Sequence, residues 1–352
     1  MNYQDREVVL SVKDLTIKFT LRGRELTAIR GVSLDLYRGE SLAIVGESGS
    51  GKSVFTKSFI GLLDANGRVD SGEILYRGKN IAGYQNEKDW LTIRGREIAM
   101  VFQDPMTSLS PLKTVGRQIL EAVTLHRGLK KDEAKDCVIE ILRDVGIPEA
   151  ERRYSQYPHE FSGGMRQRVV IAIAIACSPQ ILICDEPTTA LDVTIQAQIL
   201  GLLRRLQAKY QLTIIYITHD LGVVANVADR IAVMYAGDIV EAGLAEEVFY
   251  DPQHPYTWAL LSSLPQLGVK GEPLYAIKGT PPNLFTEIKG DAFAVRNPAP
   301  LEIDFVERPP YFPVTATHSA RTWLLDPRAP RIEKPPLIES ISRDRGKRTG
   351  YV

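Results

Sequence analysis

An eight-residue stretch rich in glycine constrains this chain more than any other feature. Residues 46–53 read Gly-Glu-Ser-Gly-Ser-Gly-Lys-Ser, which is the G-x-x-x-x-G-K-[ST] spacing of a loop that wraps polyphosphate. Glycines allow a tight turn that aims backbone N–H groups at one point, where a helix N-terminus adds partial positive charge. The alternative is a chance glycine-rich turn. The strand predicted at 41–45 and the helix predicted at 54–63 favour the phosphate loop, because the motif needs both.

The chemistry of this loop depends mainly on its last two residues. Lys52 is expected to reach the β- and γ-phosphates of a nucleotide, and the hydroxyl of Ser53 is expected to bind Mg²⁺. The other loop residues expected to contact the nucleotide are Gly46, Glu47, Ser48, Gly49, Ser50 and Gly51.

Composition narrows the class of protein. The 352 residues suffice for two domains, and 43 Lys plus Arg balance 43 Asp plus Glu, so no overall basic field favours nucleic acid. The three cysteines lack C-x-x-C spacing, which favours buried thiols in a reducing compartment. The longest apolar run, 169–177, is far shorter than the ~20 residues of a membrane helix. Work at a membrane would therefore require a partner that holds the chain there.

Alternating apolar residues predict strands near the N-terminus. The pattern at 8–19 predicts one strand, a second follows through Leu36, and the two are expected to form an antiparallel lobe. Phe19 ends the first strand, where its ring is expected either to stack on a purine or to lie in the core. Further strands are predicted at 71–76 and at 97–102, just before Gln103.

Helical spacing replaces this alternation at 114–146, which predicts a helical insert. Ser162 is a good N-cap for a long apolar helix that runs to residue 177. The buried-strand pattern at 181–184 ends at Asp185 and Glu186, and the one at 213–218 ends at His219. Polar residues at the carboxyl ends of buried parallel strands lie where open α/β sheets bind ligands. The alternatives are ordinary surface acids and an ordinary histidine.

Past Tyr250 the pattern changes, because prolines interrupt regular elements. We expect residues 251–352 to form a separate small module with few long helices. The polar stretch 332–352 is expected to be a solvated, disordered tail, with binding of its basic residues to a lipid surface as the minority interpretation.

Together these motifs resemble the nucleotide-binding subunit of ABC transporters, over nearly the whole chain. In chain order they are the phosphate loop at 46–53, Gln103 as the Q-loop residue, the signature at 161–167, Walker B at 181–186, the D-loop at 190–192 and the switch histidine His219. The resemblance implies an α/β fold of the P-loop NTPase, ABC type: an antiparallel β lobe, a RecA-like parallel core and a helical insert at about 105–178. The cassette is expected at 1–250 and a C-terminal extension at 251–352.

The resemblance also implies roles for single residues. Glu186, His219 and Lys52 would be catalytic, with Glu186 polarising the attacking water and His219 contacting the γ-phosphate. Phe19 would stack on adenine. Ser53, Gln103 and Asp185 would hold or sense Mg²⁺, and Gln103 would relay the state of the metal to a permease.

A second glycine-rich helix start, at Ser162, is hard to use on a triphosphate that the first loop already encloses. In the family this segment closes over the nucleotide of the opposing subunit. The residues expected to act across such a sandwich dimer are Ser162, Gly163, Gly164, Gln167 and Asp192. The implied partners are a paralogous ATPase, two membrane permeases that hold the chain at the cytoplasmic face, and indirectly an extracellular peptide-binding protein. No nucleic acid is expected.

The C-terminal region resembles one branch of the family. The stretches 251–257 and 278–284 are similar to the extension of oligopeptide and dipeptide importer ATPases, which nickel importers share. Many relatives carry four cysteines there. The matching residues here are Asp291, Asn297, Asp304 and Thr322, which offer only hard oxygen donors, so no iron–sulfur cluster is expected. Apolar packing should hold the module instead, with these core members: Leu284, Phe285, Phe293, Phe305, Phe312 and Trp323.

The sequence is thus closest to a cysteine-free oligopeptide-importer ATPase of Gram-positive type, with ATP and Mg²⁺ as its ligands. An importer ATPase for nickel or another small solute is the alternative. A DNA-repair ATPase would need a long coiled-coil insertion or zinc spacing, a translation-factor ATPase two copies of the motif set, and an exporter often fused apolar spans. The chain has none of these features.

Overall fold

Two β-sheets organise the part of the chain that the computed structural model describes, residues 6–348 without 128, 130, 189, 190, 225, 265, 266 and 268–276. The strands are β1 (Val8–Leu21), β2 (Arg24–Tyr37), β3 (Ser41–Val45), β4 (Gly67–Tyr76), β5 (Lys79–Asn80), β6 (Ile98–Val101), β7 (Ile181–Asp185), β8 (Thr213–Thr218), β9 (Arg230–Tyr235), β10 (Asp238–Leu244), β11 (Phe312–Pro313) and β12 (Ser319–Ala320). The helices are α1 (Lys52–Lys57), α2 (Glu87–Trp90), α3 (Pro105–Ser108), α4 (Val115–Arg127), α5 (Lys131–Asp144), α6 (Ala150–Arg153), α7 (Gly163–Ile175), α8 (Val193–Tyr210), α9 (Leu221–Val224), α10 (Ala245–Tyr250), α11 (Pro255–Ser262) and α12 (Pro336–Arg348).

The smaller sheet is the antiparallel lobe that the alternation at 8–19 predicts. Its strand order is β2-β1-β4-β5. Strands β1 and β2 are joined by the two-residue turn Arg22-Gly23, and both residues have positive φ, 50° and 76°. That geometry matches the twist of a hairpin, so the turn fixes the pairing that buries Leu15 and Ile17.

The larger sheet places four chain segments at one edge. Its order is β11-β12-β10-β9-β3-β8-β7-β6, and β6, β7, β8, β3 and β9 run parallel. Every residue of β3 and β7 is buried, as their continuous apolar patterns predict. Because parallel strands end at the same edge, the segments that follow β3, β6, β7 and β8 meet there.

The helical insert is confirmed as two amphipathic helices. Helix α4 buries Val115, Ile119 and Val123, and α5 buries a matching face that includes Val138 and Leu142. Both faces pack into the core beside the apolar helix α7. The helix predicted at 54–63 instead begins at Lys52 and ends in a 3₁₀ turn at Ser58–Ile60.

Residues after 250 are built onto the larger sheet rather than standing apart as a separate module. Strand β12 pairs with β10, and β11 pairs with β12. Helix α11 is buried along its whole length. Its Tyr256 ring lies 4.5 Å from the Tyr235 ring of β9, centroid to centroid, and Phe293 packs against both. The shared core explains the correction: apolar residues of the extension complete the cassette.

Two further expectations about this region are wrong. The stretch 332–352 is not simply a solvated tail, because it contains α12, whose Ile338 and Ile341 are buried against α10 and α11. Of the expected core residues, Phe293 and Trp323 are buried and Leu284, Phe285 and Phe312 are half-buried, whereas Phe305 is 51% exposed. The 3₁₀ turn at Glu302–Phe305 instead buries Asp304, whose carboxylate accepts a hydrogen bond from the Leu301 N–H.

Burial of α12 gives a testable prediction. Ile338→Ala should lower the free energy of unfolding by about 2–5 kcal/mol, because it leaves a cavity where the side chain is fully buried. The matched control is Ser340→Ala, an exposed position of the same helix, which should change it by less than about 0.5 kcal/mol. Denaturant unfolding measures both values. Equal, small changes would contradict the packing of α12.

Candidate nucleotide-binding site

A cleft of about 990 Å³ lies at the carboxyl-end edge of the larger sheet. The predicted residues that line it are Phe19, Glu47, Ser48, Gly49, Gly51, Lys52, Ser53, Gln103, Glu186 and His219. Asp185 joins them through a hydrogen bond to Ser53. The structure therefore brings together residues from five separate segments of the sequence.

The phosphate loop connects β3 to α1, and glycine is required at several of its positions. Gly49 and Gly51 have φ values of 79° and 104°, which side chains rarely adopt. Gly46 has an ordinary φ but no room, because a Cβ there would lie 2.1 Å from the Met234 carbonyl oxygen. Ser50 is buried beside it. The loop is thus held against β9.

Lys52 lies inside this loop and is buried. Its ammonium donates hydrogen bonds to the carbonyl oxygens of Gly46, at 2.7 Å, and Glu47, at 2.8 Å. Burial lowers the pKa of Lys52, while the carboxylates of Glu186, Asp185 and Glu47 act in the opposite direction. The cation therefore lies where acidic groups and loop carbonyls surround it.

The donors predicted for Mg²⁺ are paired at the end of β7. The Ser53 hydroxyl donates to Asp185 Oδ1 at 3.0 Å. Burial raises the pKa of Asp185, and the charge of Glu186 adds to that, whereas Ser53, Lys57 and Lys52 lower it. A hydroxyl and a carboxylate are the hard oxygen ligands that Mg²⁺ prefers, so this donor set fits the metal.

Glu186 lies between two predicted site residues. The Gln103 amide donates to one carboxylate oxygen at 2.9 Å, and His219 Nδ1 lies 3.2 Å from the other. The backbone of Glu186 is left-handed, with φ of 46°, and its N–H donates to the Ile217 carbonyl. Such a conformation costs free energy and persists only where surrounding structure imposes it. The carboxylate is therefore fixed in place beside Lys52.

Phe19 combines the two roles that the sequence left open. Its ring is 8% exposed, and it packs so closely on Gly67 that a Cβ there would lie 2.5 Å from the ring. The ring also lines the cleft. It is a core residue with one part turned toward the site.

The signature residues lie away from this cleft. Ser162 caps α7 by accepting from the Met165 N–H, and Asp192 caps α8 by accepting from the Ile195 N–H. Gly163 lies near Leu191, and Gly164 packs on Ile195, so the two helix starts are side by side. Gly163 is exposed. These residues form a surface of their own; Ala190 of the predicted D-loop lies outside the described residues.

Gln167 differs from the other residues expected to act across a dimer, because it is buried. It is 1% exposed, in the apolar helix α7. Its role across a dimer stays a prediction, whereas Ser162, Gly163 and Asp192 at the starts of α7 and α8 are exposed.

Residues of the extension also line the cleft, which the sequence motifs did not predict. Its lining includes Leu260, Ser263, Ile277 and Leu284. Tyr256 and Arg296 contact Glu47 of the phosphate loop. Tyr256 lies in the stretch 251–257, which resembles the importer family, whereas Arg296 lies in no motif or periodic pattern that predicts this contact.

The four residues at the relatives' cysteine positions act as local caps. Asp291 accepts from the Phe293 N–H, Asn297 from the Ala299 N–H, Asp304 from the Leu301 N–H and Thr322 from the Leu324 N–H. Within the described ranges, His, Cys, Asp and Glu form no group of three that could hold a metal ion. The four side chains thus satisfy backbone donors in short turns.

Comparison with known proteins identifies the family to which the chain belongs. The family model "ABC transporter" matches residues 29–189, and "Oligopeptide/dipeptide transporter, C-terminal region" matches 240–302. The oligopeptide transport ATP-binding protein AmiE of Streptococcus pneumoniae is 57% identical, over 99% of this chain and 98% of its own. The chain belongs to the ABC transporter ATP-binding family. The oligopeptide transport ATP-binding protein OppD of Bacillus subtilis is 56% identical, over 95% and 94% of the two chains.

Solved structures confirm the predicted ABC fold. The dimeric ATP-binding cassette MJ0796 bound to ADP and Pi is 28% identical with a TM-score of 0.60, covering 67% of this chain and 98% of that one. In this ABC ATPase, no helix among the described residues is long and apolar enough to span a membrane.

Close approach at Gly46 generates a prediction. Gly46→Ala should displace the loop by about 1 Å and lower kcat/KM for ATP by roughly 10²-fold, the usual cost of such a misplacement. The control is Gly23→Ala in the β1–β2 turn, where φ is positive, unlike at Gly46, but nothing lies within 4 Å of the added Cβ. It should cost about 1–2 kcal/mol of stability and leave hydrolysis unchanged. Equal kinetics for both variants would contradict the steric argument.

Proposed function

We propose that this chain is the ATP-hydrolysing subunit that energises import of oligopeptides or dipeptides through an ABC permease. Support comes from relatives named for oligopeptide transport, which match over nearly their full length, and from the match of the C-terminal region to a model of that transporter group. The cassette would comprise residues 1–250, with the helical insert at about 105–178 and the extension at 251–352.

The observation that carries the mechanism is the position of Glu186, held between Gln103 and His219 beside Lys52. Phosphoryl transfer requires mainly positioning and charge neutralisation. Lys52 and the loop amides would bind the β- and γ-phosphates, and Phe19 would support the adenine. Glu186 would orient the attacking water and accept its proton, while His219 would contact the γ-phosphate.

Ser53 and Asp185 would hold Mg²⁺, with Gln103 reporting on the site to the permease. The metal, when bound, neutralises charge on the β- and γ-phosphate oxygens. The donor geometry supports this role, because the Ser53 hydroxyl and the Asp185 carboxylate are already 3.0 Å apart.

The exposed helix starts at Ser162 and Asp192 support a dimer in which each chain completes the site of the other. We infer that Ser162, Gly163, Gly164 and Asp192 act on the nucleotide of a paralogous ATPase. Two permeases would hold this pair at the cytoplasmic face of the membrane, where it would serve an extracellular peptide-binding protein without contacting nucleic acid.

Reconstitution tests the whole proposal. The chain, a paralogous ATPase and two permeases are reconstituted in liposomes together with the peptide-binding protein. ATP-dependent uptake of labelled oligopeptides is then measured, with nickel as the competing solute. Uptake of peptide that stops when this chain is omitted is expected. Uptake of nickel alone would overturn the substrate class.

The first mechanistic prediction concerns Glu186. Glu186→Gln should keep ATP binding and lower hydrolysis by roughly 10²–10⁴-fold, because the amide keeps the shape and loses the base. The control Glu73→Gln, at an exposed position of β4, should leave both unchanged. Turnover in the assembled transporter decides: near-normal hydrolysis by Glu186→Gln would reject this carboxylate as the catalytic one.

The second mechanistic prediction concerns Ser162. A Ser162→Arg chain should still bind ATP at its own phosphate loop, because Ser162 does not line that cleft. Mixed with a normal partner, it should block hydrolysis at the partner's nucleotide. Nucleotide binding to the variant alone and hydrolysis by the mixed pair are measured. Loss of ATP binding by the variant alone would contradict the assignment of Ser162 to the partner's nucleotide.

A further inference from the structure

An arginine of the C-terminal extension forms an ion pair with the side chain of one phosphate-loop residue, Glu47. Arg296 ends the 3₁₀ turn Ala294–Arg296, and its side chain is 5% exposed. Its two terminal nitrogens lie 2.7 and 3.0 Å from the two carboxylate oxygens of Glu47. A planar guanidinium that meets a carboxylate in this bidentate way fixes orientation as well as distance.

The backbone of Glu47 also forms a hydrogen bond with the extension. The Glu47 N–H donates to the Tyr256 hydroxyl at 2.8 Å, and Tyr256 is fully buried in α11. Arg296 in turn donates to the Tyr235 hydroxyl at 3.1 Å and to the Lys278 carbonyl at 3.0 Å. Two elements of the extension therefore contact Glu47, and Tyr235 of β9 holds Arg296 in place.

Glu47 is directly connected to the phosphate-binding lysine. Its carbonyl oxygen accepts a hydrogen bond from the Lys52 ammonium at 2.8 Å. Displacement of Glu47 would therefore displace an acceptor that positions Lys52. Pro281 and Pro282 of the extension line a small cavity together with Ser48 and Gly49 of the loop.

Charge gives the contact a second consequence. Glu47 lines the cleft in which we propose that a polyanion binds. An uncompensated carboxylate there would repel phosphates, and the Arg296 guanidinium neutralises it at hydrogen-bond distance. Arg296 thus removes an electrostatic penalty without contacting the nucleotide.

We infer that Arg296 and Tyr256 are positioning residues through which the C-terminal extension sets the shape and charge of the phosphate loop, so that tight ATP binding requires the extension. The inference deepens the proposed function and rests on it. It assigns the extension a task inside the nucleotide site itself.

The test compares variants of the full-length chain by titration with a fluorescent ATP analogue in the presence of Mg²⁺. Arg296→Gln should raise the Kd about tenfold or more, within the roughly 5–150-fold range usual for coupling between separate elements. Tyr256→Phe, which deletes one oxygen and keeps the buried ring, should raise it several-fold. Arg296→Lys should restore part of the affinity, since it restores the charge but not the bidentate pairing.

Arg308→Gln is the matched control. Arg308 also belongs to the extension and is paired with a carboxylate, but that carboxylate, Asp238, belongs to β10 and not to the phosphate loop. It should lower the thermal unfolding midpoint and leave the Kd unchanged. An equal loss of affinity in Arg308→Gln and Arg296→Gln would show a general loosening of the extension and would overturn the inference.

The remaining outcomes are also decisive. If Arg296→Gln folds and binds as the original chain does, the inference is wrong. If Arg296→Gln does not fold, Tyr256→Phe decides by the same criterion. Failure of the original chain to bind the analogue would count against the proposed function itself.

Charge compensation by Arg296 is measured separately, in a double variant. In the double variant Glu47→Gln/Arg296→Gln the carboxylate is gone, so it should bind more tightly than Arg296→Gln alone, but more weakly than the original chain because the pairing that orients the loop is lost as well. A double variant as weak as Arg296→Gln alone would refute the electrostatic part and leave only the geometric part.

Discussion

The parallel pairing of β3, β7 and β8 is the constraint on which the rest of the structure depends. Because these strands run the same way and are wholly or almost wholly buried, the residues that follow them must emerge at one edge. The phosphate loop, Glu186 and His219 are thereby brought together without any contact specific to their side chains. The hydrogen bonds among Ser53, Asp185, Gln103, Glu186 and His219 then refine an arrangement that backbone pairing has already established.

Features encoded locally could be predicted from the sequence. The run at Ser41–Val45 has the bounds of β3, and the apolar spacing at 114–146 gives the buried faces of α4 and α5, because burial of one face leaves a periodic trace in neighbouring residues. The family and the fold were predictable because the phosphate loop and the signature are contiguous motifs in a fixed order. The comparisons confirm both predictions. The individual roles of the site residues remain predictions.

Features that depend on distant partners could not be predicted. Arg296 and Glu47 are 249 residues apart, and a single arginine among prolines has no period that reveals its partner. Asp304 is buried and Phe305 is exposed, which is the opposite of what hydrophobicity predicts. The buried carboxylate accepts a hydrogen bond from the Leu301 N–H, and a buried backbone donor needs such an acceptor. The packing of helix α12 was not predicted because the segment is polar on average. Two buried isoleucines nevertheless anchor it to the core.

The short strands of the extension also bear on how this chain avoids association with others. Strand β10 would be the open edge of the larger sheet if β12 did not pair with it, and β11 then ends the sheet with a two-residue strand containing Pro313. Proline has no N–H to offer a further strand, and very short edge strands are poor templates for pairing. During synthesis, however, β10 leaves the ribosome well before residues 319–320 do. Until they arrive, the newly made cassette presents at β10 a row of unpaired backbone groups, which is the kind of edge on which strands of other chains can pair.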